Sequence, residues 1–447
     1  MNAFPLPWLE IAVAIPLALA LPVSLIRDKL LALRVCTAAC ACALAATLAA
    51  WSAHYAGLDG GGGPIFRIDA LSAPLLPAIA LLHFLMAMTT SSWKAESFGA
   101  ARYLLSLSLR LAVFATEDPW LLVGLSASCC VPCFFDLKRA GKPATLYVLH
   151  MIPFVACLVG GWALVSFGYP EAGAIFLILA ALIRSGVFPM HLWILDLIEN
   201  GSFSSAVLMV TPMLGVYVAV RLAVPVAPPW LLSVVTVFSL ATAVYSSGMA
   251  IVQTETRRFF AHLFVSFSAL VLVGLEVHTR VSVTGALALW YSVLISAGGL
   301  TIVLRAVEAR HGRLALNEYH GLYARSPQLA AAFIVTGLAC VGFPGTLGFV
   351  SAELLIDGTL ESNLWIGLIV ILVSGLNGIA VMRAYTALFT GRRPAGTTEL
   401  RVTWAERSAI IVLVLAIFGG GLFPQPGLTS RYDASRLLEE QPASTDH

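Results

Sequence analysis

The sequence predicts an all-α, polytopic membrane protein, and three observations carry that expectation. Hydrophobic residues make up 59% of the 447 positions and charged residues 11%, against about 45–50% and about 25% in a soluble domain. The mean hydropathy is +0.90, an excess that only lipid solvates. Apolar runs close to the roughly 20 residues that a helix needs to cross hydrocarbon recur along the whole chain, and the short alternating segments of a membrane β-barrel do not appear.

Taken in order, the runs place helices at 7–26, 35–53, 70–90, 102–116, 119–136, 145–167, 173–198, 203–223, 230–252, 259–276, 283–304, 328–356, 363–390 and 405–423, about 14 spans. The first follows Met1–Trp8 without a basic segment and reads as a retained span rather than a cleaved signal. Residues 306–320 are too polar to span and read as a surface connector. Residues 425–447 read as a polar, frayed tail.

Basic residues cluster in alternate loops. Loops after odd-numbered spans hold Arg27, Lys29 and Arg34; Lys94 and Arg102; Lys138, Arg139 and Lys142; Arg257 and Arg258; Arg305, Arg310, Arg313 and Arg325; and Arg392, Arg393 and Arg401. Even-numbered loops hold Arg67, Arg221 and Arg280. The loop after the seventh span has none. This asymmetry places the odd loops in the cytoplasm and both termini on the opposite side of a membrane, expected to be the inner membrane of a prokaryotic cell.

Several function classes are excluded. A net charge of +2 without a basic cluster gives no footprint for nucleic acid. The eight cysteines lie mostly in apolar runs. Cys129, Cys130 and Cys133 lack the second cluster or the histidines that a metal site needs, and read as packing residues. No phosphate-binding loop, dinucleotide fingerprint, iron–sulfur spacing or haem motif appears, so no cofactor and no metal is expected. Any redox or hydrolytic catalysis belongs to partners.

Two spans are interrupted alike. Residues 184–191 read Arg-Ser-Gly-Val-Phe-Pro-Met-His and residues 341–349 read Val-Gly-Phe-Pro-Gly-Thr-Leu-Gly-Phe. Gly186 precedes Pro189, and Gly342 precedes Pro344. Proline removes a helical donor and clashes with the preceding turn, so both spans are expected to break. Irregular backbone at membrane depth persists only where protein or a watery cavity shields it. Taken singly, each proline reads as an ordinary kink, as Pro153 and Pro212 do. As a matched pair five spans apart, they point to inverted repeats with ion sites at the breaks. The expected organisation is 1–100 (spans 1–3), 101–226 (first inverted repeat, spans 4–8), 227–395 (second, spans 9–13) and 396–447 (span 14 and tail).

The stretch Phe188–Asp196, with Pro189, His191, Trp193 and Asp196, resembles the broken seventh helix of the antiporter-like subunits of NADH-quinone oxidoreductase. Related proteins occur in multisubunit cation/proton antiporters, membrane-bound hydrogenases and inorganic-carbon-accumulation complexes. Gly342–Phe349 is similar to that family's break in helix 12. Arg67–Ser72 resembles the entry to helix 3, Gly215–Tyr217 with Arg221 the end of helix 8, and Arg383–Phe389 helix 13. The resemblance implies a proton path along charged groups at mid-membrane, in two half-channels. The chain departs from it at the ionisable positions. The glutamate of the fifth helix has no counterpart in Gly124–Pro132. The seventh-helix lysine aligns with Arg184, which stays protonated, and the eighth-helix lysine with Met213. Leu289–Ala297 holds no lysine or histidine. Glu353 substitutes, one residue shifted, in helix 12.

Intramembrane ionisable groups are functional candidates by default. Here these are Arg184, His191, Asp196, Glu199, Glu353, Asp357, His150 and His262. Asp196 and Glu199 (i,i+3) share a helix face, as do Glu353 and Asp357 (i,i+4); the first pair reads as an exit funnel or as a solvated helix end, and Glu353 reads as the deeper of its pair. The histidines read as packing residues or as proton carriers. Arg110 and Arg383 read as ion-pair partners. The expected function is that of a membrane subunit of an ion-translocating complex, conducting protons or coupling their movement to other membrane and peripheral subunits. The alternatives are a transport-inactive anchor and the membrane part of a proton-coupled inorganic-carbon uptake complex.

Overall fold

The computed structural model describes residues 6–57, 63, 65–92, 95–96, 98–277, 279–391 and 402–439. Lys94, Arg392, Arg393 and Arg401 of the charge pattern lie outside them. The described residues are nearly all helical and contain no strand beyond one isolated bridge between Glu255 and Ala315. Ten helical stretches among them are long and apolar enough to cross a bilayer. The chain divides into two compact units, Met1–Ala144 and Thr145–His447.

The first unit contains α1 (Trp8–Leu25), α2 (Lys29–Tyr55), α3 (Leu75–Met88), α4 (Ala100–Ala115), α5 (Pro119–Ser128) and α6 (Val131–Arg139). Short polar side chains start two of these helices. Asp28 accepts from the Leu30 and Leu31 amides, and Asp118 from the Leu121 amide at 2.7 Å, each taking donors that a helix start leaves unpaired. Arg110 is buried but makes no ion pair among the described residues. Its guanidinium reaches the Ser106 carbonyl and hydroxyl and the His83 ring, so neutral acceptors within the bundle hold it.

The second unit contains α7 (Thr145–Ser166), α8 (Pro170–Ser185), α9 (Leu192–Asn200), α10 (Phe203–Val210), α11 (Leu214–Val218), α12 (Pro229–Val252), α13 (Thr256–Glu276), α14 (Arg280–His311), α15 (Pro327–Cys340), α16 (Leu347–Ser362), α17 (Leu364–Phe389), α18 (Trp404–Leu422) and α19 (Gln425–Glu439). After α11 the chain passes through one turn of π-helix, Ala219–Ala223, and one of 3₁₀-helix, Val224–Val226. Every residue of α13 from Phe259 to Glu276 is buried, and α14 is buried over most of its length. These are helices apolar on all sides, and they form the centre of the unit. Glycines bring neighbours close: a Cβ on Gly285 would strike the Leu354–Leu355 backbone of α16, and one on Gly358 the Ser282 backbone of α14.

Three expectations are corrected. The connector at 306–320 is, up to His311, the end of α14, which buries Ala306 and Val307. Glu308 and Arg310 each meet a charged partner, Arg257 and Glu406, so polarity does not stop the helix. Residues 425–439 of the expected frayed tail form α19, which packs on α14. Thr284 donates to Ser435 at 3.0 Å, and the Arg431 and Arg280 guanidinia lie over Tyr291 and Tyr432. Arg383 makes no ion pair either; it donates to the Gln253 carbonyl at 2.9 Å and reaches that of Leu316.

The end of α14 is tied to the start of α18 by a two-pronged pair. Arg310 donates to Glu406 at 2.8 and 2.6 Å, with both side chains more than nine-tenths buried. Glu406 also closes a capping box with Thr403. Removing one member of a buried pair strands the other charge. Arg310→Met is therefore expected to cost about 3–5 kcal/mol, read as a fall in the thermal midpoint of the purified protein in detergent. Adding Glu406→Gln is expected to restore most of the loss.

Candidate functional site

The site grows from the interruption between α8 and α9. Gly186 ends α8 in the left-handed conformation (φ 72°), which costs glycine nothing. The amides of Gly186 and Val187 fold back to the Ile183 and Leu182 carbonyls, at 3.3 and 3.0 Å. The peptide before Pro189 is cis. Helix geometry resumes at Leu192, leaving backbone groups that hydrocarbon would not satisfy. Neighbouring helices satisfy them. The Phe188 amide donates to Thr242 Oγ1 of α12 at 3.0 Å. Trp193 Nε1 donates to the Ile183 carbonyl at 2.8 Å. Ser268 of α13 donates to the Ser185 carbonyl at 3.4 Å.

This opened turn places His191 inside the bundle. Its side chain is 3% exposed, and neither ring nitrogen completes a hydrogen bond of good geometry, with the Pro189 backbone facing the ring. Rings surround it: Tyr245 of α12 at 5.3 Å, Phe188 at 5.7 Å and His262 of α13 at 6.3 Å between centroids. His262 is equally buried, and its Nδ1 is also unpartnered. Tyr245 bridges the two, 6.1 Å from His262. His150 is buried in α7, but its Nδ1 is committed to the Leu146 carbonyl at 2.9 Å. Two histidines thus share one pocket with hydrogen-bonding capacity unused.

Arg184 lies just before the interruption and is 4% exposed. It donates to the Met209 carbonyl at 3.2 Å, and its guanidinium sits over the Trp193 ring at 5.0 Å, a cation–π contact. Its Nε is unpartnered, and no carboxylate lies within ion-pair reach among the described residues. It is a fixed positive charge balanced by a carbonyl and a ring.

A further interruption lies nearby, at Thr211–Met213. Met213 has a φ of 50°, rare for a side-chain-bearing residue, and marks the end of α10. Trp290 Nε1 of α14 takes the freed Pro212 carbonyl at 3.1 Å, while Arg184 takes that of Met209. Pro212 is therefore more than a kink. Its own presence was the main sequence signal, because Gly215 follows it rather than precedes it.

The break between α15 and α16 runs from Val341 to Thr346, with Gly342 and Gly345 left-handed. Phe343 returns its amide to the Leu338 carbonyl at 3.0 Å. The Thr346 hydroxyl donates to the Phe343 carbonyl at 2.6 Å. Pro344 faces outward, as do Glu353 and Asp357 one and two turns beyond Phe349. Those carboxylates share a face but join neither each other nor the histidines through a hydrogen bond or ion pair. Asp196 accepts from Asn200 at 2.8 Å. Glu199 pairs with Arg258 at 2.7 Å, and the carbonyls at the end of α9 are capped by Arg257 and Arg313. Asp196 and Glu199 thus belong to a clasped helix end. Among the described residues no group of three or more His, Cys, Asp and Glu is placed to hold a metal ion.

Comparison with known proteins agrees with this geometry. Residues 163–377 match the family described as NADH:quinone oxidoreductase/Mrp antiporter, TM, a stretch that contains both interruptions. The chain is 25% identical to an NAD(P)H-quinone oxidoreductase chain 4 of Nostoc sp., over 98% of this chain and 92% of the relative. It is 24% identical to NADH-quinone oxidoreductase subunit 13 of Thermus thermophilus, over 80% and 82%. Its fold matches a chain of respiratory complex I from Thermus thermophilus with a TM-score of 0.84, 20% identity and 97% and 99% coverage. It matches a chain of the Mrp complex from Dietzia sp. equally well in TM-score, 0.84, at 19% identity and 96% and 97% coverage.

Thr242 supplies the acceptor for an amide with no alternative. Thr242→Val is expected to lower stability by about 1–3 kcal/mol, the cost of a buried unpaired donor, while Thr242→Ser retains wild-type stability. Thermal unfolding of the detergent-solubilised protein checks both.

Proposed function

We propose that this chain, an antiporter-like membrane subunit of the complex I and Mrp kind, carries protons through the buried histidine pocket at its first broken helix, as one subunit of a multisubunit complex. The observation that carries the reading is His191. It sits in the interruption, is almost wholly buried, completes no hydrogen bond from either ring nitrogen and lies 6.3 Å from a second buried imidazole whose Nδ1 is unpartnered. A packing histidine ordinarily finds at least one partner, since an unpaired buried polar group is costly. An imidazole accepts at one nitrogen and donates at the other, and its ordinary pKa lies near neutrality, so it suits both halves of a proton hop.

Arg184 fits this reading as a fixed charge rather than a carrier, because arginine does not give up its proton. Two interrupted helices five spans apart support the organisation into inverted units over 101–226 and 227–395. The alternate-loop arginines support termini on the non-cytoplasmic side.

The test uses the complex purified with its partner subunits and reconstituted into vesicles. His191→Gln is expected to reduce proton uptake, driven by a potassium diffusion potential and read by an enclosed pH dye, at least tenfold without loss of assembly. Uptake at the wild-type rate in an assembled H191Q complex overturns the proposal in favour of an anchoring subunit.

A further inference from the structure

Glu276 is the last residue of α13 and has no cationic partner among the described residues. It is 6% exposed and its Oε2 lacks a hydrogen-bond partner, while the Thr236 hydroxyl of α12 faces the carboxyl. A carboxyl group buried so deeply without a cation is expensive, and its position adds to the cost. The end of a helix carries partial negative charge, which opposes a carboxylate. Nothing in the packing of α13 calls for it, since every other residue in the helix's last two turns is apolar or glycine.

Glu276 stands fourteen residues beyond His262. That is close to four whole turns, so both side chains project on the same face of α13, about 21 Å apart along the axis at 1.5 Å per residue. Helix α12 runs antiparallel against this face. Its register is given by Thr236 opposite Glu276, Ala243 opposite Ser266 and Tyr245 opposite His262. Between the two ends the seam carries neutral polar groups. Ser239 and Ser246 of α12 are fully buried, and each Oγ lacks a partner. Midway, Asn377 of α17 donates to the Ser266 hydroxyl at 3.0 Å, which donates to the Ala243 carbonyl at 3.2 Å. The Asn377 Oδ1 is unpartnered. Successive polar levels are separated by three or four residues, about 4.5–6 Å along the axis, a gap that one water spans when polar groups flank it on both sides.

We infer that the α12–α13–α17 seam is a proton path that joins the His191–His262 pocket to Glu276, with Glu276 as its terminal proton-exchanging group. This rests on the proposed function of the pocket. At each step one proton leaves an O–H or N–H donor for the lone pair of the next group, and the donor is refilled from the group behind it; no electrons move. The carboxyl exchanges its proton at one end and the imidazoles at the other, while the hydroxyls and the amide hold water in between.

The test places three variants of the same reconstituted complex side by side: E276Q, N377L and H191Q. Glu276→Gln keeps shape and removes the exchangeable proton, so uptake is expected to fall at least tenfold, with Glu276→Asp retaining a third or more. Asn377→Leu is close in size, changes no charge and removes the polar mid-point, so uptake is expected to fall at least fivefold. If E276Q fails to assemble, N377L decides alone. Slow H191Q beside wild-type rates in both E276Q and N377L overturns the seam while leaving the pocket. Wild-type rates in all three overturn both.

Discussion

A peptide group released from a helix inside hydrocarbon must find its partner in the protein, because water is not there to take it. That constraint organises the second unit. Two interruptions, at the ends of α8 and α10, release groups that donors or acceptors from other elements match, while the α15–α16 break closes on its own turn. Thr242 takes the Phe188 amide, Trp193 and Ser268 take carbonyls at the end of α8, and Trp290 and Arg184 take carbonyls at the end of α10. The partners come from α9, α12, α13, α14 and α8 itself, so the interruptions hold these helices in register as much as the helices shield the interruptions. The two tryptophans do this work with single indole donors on large apolar bodies. They fill the space that a missing helical turn leaves and satisfy one carbonyl each.

The same constraint explains which polar groups remain unsatisfied. Backbone groups are cared for at the interruptions, yet His191, His262, Ser239, Ser246 and Glu276 keep unused atoms. Unpaired side-chain atoms cost stability, and apolar substitutes of similar size are available to any sequence. Of these residues, His262, Ser239, Ser246 and Glu276 belong to the α12–α13 pair. Elsewhere in the unit, buried hydroxyls such as Thr301, Thr336, Ser351 and Thr359 return their protons to a carbonyl one turn back.

Much of this was legible in the sequence, and what was not has a physical reason. The apolar runs fix fold class because lipid imposes length and composition together. Gly186 with Pro189 and Gly342 with Pro344 announce interruptions because each residue acts on its own backbone. Properties that arise between helices are invisible in one dimension. Glu276 is a single acid at the end of a long apolar run, and only the packing of the helices shows that it is buried. Ser239, Ser266 and Asn377 are isolated polar letters in apolar runs until packing lines them up. Glu353 reads as the deeper carboxylate because α16 follows a break, but the helix turns that residue outward, and periodicity alone does not say which face a neighbour covers. The α19 helix was missed because its sequence is polar; Arg431 is buried there only through its contact with α14.

The chain holds neither of the lysines that its resemblance would place at positions 184 and 213. A lysine relay works by alternating between charged and neutral forms. Arg184 and Met213 cannot alternate, the one being always charged and the other never. On the proposed path the α12–α13 side of the pocket offers neutral hydroxyls and then a carboxyl group, whose charged form would attract a proton. The exchangeable groups of that path lie at a helix interface, where imidazole and carboxyl rather than amine would change protonation.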